Sequence, residues 1–181
     1  MSRPSDESLM LAVAGGDSAA FEQLVLRHQE VVWRTAYRIV GDRQAAEDLA
    51  QEAFLRVFQA AARYRPRAAF RTYLYRIVVR ACLDHLRKKR PQLGLAHAQV
   101  TEPTPSVEQQ RELGERADLV RQAVAGLPPK QRSAVVLRYY EGLSSAEIAD
   151  VMKTTAKAVE RLLARGRAAL QDRLARLLEH G

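Results

Sequence analysis

Cysteine is almost absent from this 181-residue sequence, and the single one, Cys82, has no partner for an internal disulfide. Set in a helical run, it reads as a small buried hydrophobe rather than a nucleophile. Aromatic residues make up only 6% of the chain, against 47% hydrophobic residues overall. Ala, Leu, Arg and Val carry most of the text, a composition that favours helices over sheets. No apolar run approaches the roughly 18–20 residues of a membrane span, and the first residues hold no signal-peptide core. A reducing, cytoplasmic compartment is therefore expected, without membrane insertion. The four histidines, His28, His85, His97 and His180, are scattered, and no Cys/His/Asp cluster has metal-ligand spacing. Neither a phosphate-cradling glycine loop nor a nucleophile elbow occurs. An enzyme is not expected, and neither is a cofactor.

What the sequence has is positive charge. Twenty-nine Lys and Arg against twenty-one Asp and Glu leave +8, which suggests a polyanionic partner or surface. The excess is not confined to one end. Residues 1–90 carry sixteen basic and ten acidic groups, and residues 113–181 carry twelve and eight. Between them, residues 91–112 hold one arginine and three glutamates. This middle span has three prolines and no periodic apolar face before Val107, so it reads as a flexible linker. The expected architecture is all-α: two small helical domains, 8–90 and 113–178, joined by the linker 91–112.

In the first domain, residues 1–7 look like a loose end, followed by a short apolar helix from Leu9 to Gly15. Asp17 or Ser18 can cap a long helix ending at Gly41-Asp42. Trp33 and Tyr37 on it read as packing residues. The next helix, from about Arg43 to Arg63, places Leu49, Ala50, Ala53, Phe54, Val57 and Phe58 toward a core. Glu47, Asp48, Gln51 and Glu52 make an acidic and polar patch near its start. Such residues suit a helix's first turn electrostatically, but in a basic chain they also leave room for a protein partner.

From Arg63 to Arg90 there are ten basic residues and one acidic one, Asp84. The segment opens as a loop around Pro66, continues as a helix, and ends Arg87-Lys88-Lys89-Arg90. Arg76, Arg80 and Arg87 fall on a common side of that helix. Aromatic rings interleaved with cations suit single-stranded nucleic acid, with bases on rings and cations on phosphates. An ordinary solvated basic face is the alternative.

In the second domain, Leu127-Pro128-Pro129 makes a turn before a helix ending at Gly142. The stretch Ser144–Arg167 then divides into two helix patterns around Lys153-Thr154-Thr155. Ser144 and Glu147 have the spacing of a capping box. Val159, Leu162 and Leu163 recur at helical spacing, while Lys157, Arg161 and Arg165 share a neighbouring face. This is the pattern of a helix-turn-helix. A surface helical hairpin would look the same, so this stretch alone leaves DNA binding open.

Taken together, the blocks resemble the extracytoplasmic-function group of bacterial RNA polymerase sigma factors, over residues 18–90 and 113–178. The first domain carries Ala46-Glu47-Asp48-Leu49-Ala50-Gln51-Glu52-Ala53-Phe54, then Phe70-Arg71-Thr72-Tyr73-Leu74-Tyr75-Arg76-Ile77, then Leu83-Asp84-His85-Leu86-Arg87. The second carries Leu127-Pro128-Pro129-Lys130-Gln131-Arg132, then Leu137-Arg138-Tyr139-Tyr140-Glu141-Gly142-Leu143-Ser144, then Glu147-Ile148-Ala149 and Ala158-Val159. The resemblance implies that Asp48, Gln51, Glu52, Phe54 and Leu55 hold RNA polymerase core at the clamp helices of its largest subunit. It implies that Tyr64, Arg65, Phe70, Arg71 and Tyr73 capture a flipped base of the −10 element. Arg76, Arg80, Arg87 and Lys88 would meet the adjacent duplex backbone.

By the same resemblance Thr154, Thr155, Lys157, Glu160, Arg161 and Arg165 address the −35 element. The second domain is also implied to dock on the flap of the second-largest polymerase subunit. An anti-sigma factor is expected as a further partner, one that can hold the chain at a membrane. The chain departs from the family pattern at Tyr73 (often Trp), Val79 (often Arg), Arg80 (often Asn), Lys153 (often Gly) and Gly166 within an Arg-Ala-Arg ending. The alternative function is a repressor or activator that binds a two-fold symmetric site without polymerase.

Overall fold

A computed structural model of the chain describes the backbone of residues 3–89 and 108–179, with side chains placed for 3–89 and 117–176. The expected linker lies largely outside these residues. Eight α-helices make up the described fold: α1 (Asp6–Ala14), α2 (Ser18–Val40), α3 (Arg43–Ala60), α4 (Phe70–Lys89), α5 (Glu108–Ala125), α6 (Pro129–Tyr139), α7 (Ser145–Met152) and α8 (Ala156–Glu179). A 3₁₀ turn, Ala61–Arg63, extends α3. No strand occurs among the described residues. Helix α5 begins at Glu108, inside the span 91–112 but next to Val107, where the helical pattern of the sequence starts.

Side-chain caps set the helix starts. Asp17 accepts from Ala20 N–H at 3.1 Å and Asp42 from Ala45 N–H at 2.9 Å. Ser5 accepts from Ser8 N–H at 3.1 Å. Residues 5–7, read from sequence as a loose end, therefore already belong to the fold. At the other end of α2, Gly41 closes the helix in the left-handed conformation, φ 73°.

Helix α2 is the spine of the first half. It packs on α1, α3 and α4 and buries Leu24, Val32, Ala36 and Ile39 completely. Cys82 is also fully buried, and burial pushes its thiol up to about 12, so it is inert at neutral pH. The second half closes around Leu127, Leu137, Ile148 and Leu163. Gly166 sits on the buried side of α8, where a Cβ would lie 2.8 Å from Val135 Cγ2. It is what allows α6 and α8 to approach closely.

The halves pack together. Helix α2 meets α5 and α6, and α4 meets α6 and α7. At the centre lies Glu141, only 7% exposed. Its carboxylate accepts from Thr35 Oγ1 at 2.9 Å and from Tyr75 OH at 2.5 Å, with Arg38 at 3.6 Å. Arg71 donates to its backbone carbonyl. A second crossing uses Arg132, which donates to Ile39 O at 2.6 Å and to Leu127 O at 3.0 Å. Burial pushes this guanidinium down to about 10, with the charge of Arg173 adding to the effect.

Candidate nucleic-acid interface

The acidic stretch forms an outward face on α3. Asp48, Gln51 and Glu52 are exposed, and Leu55 beside them is 55% exposed. Each carboxylate has a partner one turn away: Glu47 with Arg43 at 3.3 Å, Asp48 with Gln44 at 3.2 Å, Glu52 with Arg56 at 2.6 Å. Exposed pairs of this kind are worth about 0.3–0.5 kcal/mol, too little to withhold the carboxylates from a partner. Phe54, placed toward the core by periodicity and at the polymerase contact by the resemblance, is 8% exposed and belongs to the core of the first half. Phe58, read as core, is 50% exposed, with its ring 5.0 Å from that of Phe21. The apolar part of this face is therefore Leu55 with Phe58, and Phe54 supports it from behind.

The loop before α4 is organised around three rings. Tyr64 and Tyr73 lie 5.2 Å apart, Tyr64 and Phe70 6.3 Å, Phe70 and Tyr73 6.1 Å. Phe70 is completely buried and Tyr64 is 5% exposed. Neither offers a free face for stacking in this arrangement, so their part is to shape the loop. Tyr73 is half-buried, and Arg65 and Arg71 are exposed. Arg65 donates to Tyr64 O at 2.9 Å. Burial, with the charge of Glu7 next, raises the Tyr64 phenol above its ordinary value.

Along α4, Arg76, Arg80 and Arg87 do share one side, and Lys88 is exposed. That side faces the second half across a cleft of about 730 Å³, where Lys130 and Lys153 join the three arginines over Leu83 and Val151. Arg76 pairs with Asp150 of α7 at 3.2 Å, and Arg87 pairs with Asp84 at 3.1 Å.

The helix-turn-helix is present as α7, the turn 153–155, and α8. Its capping box is complete: Ser144 N–H donates to Glu147 Oε2 at 2.8 Å, and Glu147 N–H donates to Ser144 Oγ at 3.2 Å. The Ser144 N–H, with the Ser144 hydroxyl donating to the same oxygen at 2.8 Å, holds the Glu147 carboxyl below its ordinary range. Lys153 closes α7 in the left-handed conformation, φ 50°, which favours glycine over a residue with a side chain. Thr155 Oγ1 accepts from Ala158 N–H at 3.2 Å and caps α8. Thr154 contributes its backbone N–H, to Ala149 O at 2.9 Å. Lys157, Glu160, Arg161 and Arg165 are exposed, while Val159 and Leu163 are buried beneath them. Glu160 is tied back to α7 by a hydrogen bond from Ser145. Lys157, Arg161 and Arg165 form no salt bridge among the described residues.

Sequence reasoning missed two acidic residues. Glu141 was legible only as part of a motif, and Glu7, which accepts from Phe70 N–H at 2.8 Å, was placed in a loose end.

Two family descriptions match the chain: Sigma-70 region 2 over residues 24–92, and Sigma-70, region 4, over residues 117–170. The RNA polymerase sigma-H factor of Pseudomonas aeruginosa is 34% identical, with 98% of each chain covered. The ECF RNA polymerase sigma factor SigE of Mycolicibacterium smegmatis is 39% identical over 96% of this chain and 70% of its own length. SigW of Bacillus subtilis is 32% identical over 90% of this chain and 92% of its own. Among solved structures, CnrH in complex with the cytosolic domain of CnrY superposes with a TM-score of 0.69, at 26% identity, covering 98% of this chain and 99% of that one. RpoE of Bartonella quintana, solved with the anti-sigma factor NepR, gives 0.67 at 18% identity over 86% and 96%, a likeness of fold.

Proposed function

We propose how this chain, which belongs to the extracytoplasmic-function group of the sigma-70 family of RNA polymerase sigma factors, divides its work among its surfaces. It recognises promoters for RNA polymerase. The exposed face of α3, with Asp48, Gln51, Glu52 and Leu55, is the grip on the largest polymerase subunit, because weakly paired carboxylates beside an exposed leucine suit a protein surface better than a phosphate backbone. The loop 64–69 with Arg71 and Tyr73 takes the flipped base of the −10 element. Extrusion costs a few kcal/mol, which stacking and phosphate contacts must offset. Arg76, Arg80, Arg87 and Lys88 follow the duplex backbone. Lys157, Arg161 and Arg165 enter the major groove at the −35 element, with phosphate contacts setting register and base contacts specifying. The flap of the second-largest subunit receives the second half. Bond-making chemistry belongs to the polymerase.

The observation that carries this reading is that each half has its own exposed cationic helix, while the acidic and apolar face lies elsewhere, on α3. In the packed arrangement Arg71 and Arg76 are engaged by the second half. Promoter binding therefore requires the second half to leave α4, and core polymerase supplies the drive by holding the halves apart. A cytoplasmic chain of this kind is a target for an anti-sigma factor, as the structures of CnrH and RpoE were solved with CnrY and NepR. Such a factor can retain it at a membrane. The test is capture of purified core polymerase on the immobilised chain: retention is expected with the wild type, and its absence refutes the assignment of α3.

A further inference from the structure

The loop assigned to base capture runs into α4 without a capping side chain of its own. Ala68 and Ala69 stand where Ser, Thr, Asp or Asn would ordinarily take up the unpaired N–H groups of a first turn. The acceptor comes instead from the far end of the sequence: Glu7 Oε1 receives Phe70 N–H at 2.8 Å. A carboxylate at that point also meets the positive end of the α4 dipole. Glu7 is itself held in place. Its neighbour Asp6 accepts from Arg27 at 2.9 Å and lies 2.8 Å from His28 Nε2, while Arg27 donates to Pro4 O at 2.8 Å. The His28 ring rests 5.5 Å from that of Phe70. Helix α1 also packs on the 3₁₀ turn Ala61–Arg63, just before the loop. Residues 64–69 are thus strung between two points that α1 touches.

We propose that Glu7 is a positioning residue for promoter opening: from α1 it fixes the first turn of α4, and through it the placement of Arg71, Tyr73 and the loop. This rests on the reading of that loop as the melting element. Without the cap the turn frays, and only the fraction of chains with the turn formed captures the base, so apparent activity falls by that fraction. A lost cap of ordinary strength corresponds to a loss of up to about fivefold.

The full chain with core polymerase is tested on a promoter at which it directs run-off transcription, with opening read from 2-aminopurine fluorescence in the −10 element. Core affinity, thermal midpoint and amide exchange at Phe70 are measured alongside. Glu7→Ala should open the promoter less, by up to about fivefold, and exchange the Phe70 amide faster, with core affinity unchanged. Glu7→Gln, which keeps an acceptor oxygen, should restore opening to near the wild-type level. Adding Ala69→Ser to Glu7→Ala should recover part of the loss by supplying a local cap. Opening by Glu7→Ala equal to wild type overturns the proposal, as does a loss that neither Gln nor the local cap repairs. Opening by Tyr73→Ala equal to wild type overturns the melting reading of the loop instead, and the proposal with it, while faster Phe70 exchange in Glu7→Ala would still report the cap.

Discussion

Replacing Glu141 by Ala should part the two halves of the free chain. The substitution removes the acceptor of Thr35 Oγ1 and Tyr75 OH and the ionic partner of Arg38. Hydrogen bonds to a charged group are worth about 1.5–3 kcal/mol each. The Arg38 contribution is discounted, since 28% of its side chain remains in water. Two hydroxyl bonds alone then give about 3 kcal/mol, or roughly a hundredfold in the ratio of docked to separated halves. Dyes attached through Gln59→Cys and Ala175→Cys, both exposed positions, would report the separation by energy transfer, because the buried Cys82 thiol does not compete for label. Glu141→Ala should shift the transfer distribution to longer distances in the free chain, and Glu141→Gln, with one acceptor kept, should fall between it and the wild type. Transfer unchanged in Glu141→Ala would refute the role of the buried carboxylate.

Tyr75 gives a pH test of the same contact. Burial, with the bond to Glu141 next, raises its phenol to about 12 from 10.0, so the folded chain holds this proton more tightly than the unfolded one. The associated stability is complete below pH 10 and is lost as pH rises through 12. The difference in urea midpoint between wild type and Tyr75→Phe should shrink across that window, and a constant difference contradicts it. Gly166→Ala should lower the thermal midpoint by about 1 kcal/mol equivalent, because overpacking against Val135 (about 1–3 kcal/mol) exceeds the helix-propensity gain. Pairing it with Val135→Ala should recover most of that loss. Arg161→Ala should cost about 1–3 kcal/mol of discrimination at the −35 element, measured by competition between promoter variants, with core affinity unchanged. Leu55→Asp should weaken core binding equally on every promoter, in titrations with labelled core.

How much of this could be read without coordinates depends on the range of the interactions. The capping box of Ser144 and Glu147, the cap at Asp17 and the apolar stripe Val159–Leu163 are local, and their spacing was enough to locate α2, α7 and α8. The common side of Arg76, Arg80 and Arg87 followed from helical periodicity alone. Phe54 and Phe58 were harder, because both lie near the edge of the α3 stripe and only the neighbouring helices decide which ring is covered. Glu141 and Glu7 act across 106 and 63 residues of sequence, where no periodicity carries a signal. An exposed-looking glutamate after a helix and an acidic pair near the terminus are ordinary surface text until the opposing hydroxyls and the uncapped α4 are seen. The role of Gly166 was hidden for the same reason: its helix-propensity cost is visible in sequence, but the approach of Val135 is not.

The division of surfaces is tested most directly by footprinting the chain on genomic promoter fragments with and without core polymerase. Protection of two separated elements and a melted stretch is expected only when core is present, with Leu55→Asp abolishing both and Arg161→Ala weakening the upstream one. Equal protection of a two-fold symmetric site by the chain alone, unaffected by Leu55→Asp, would contradict the account.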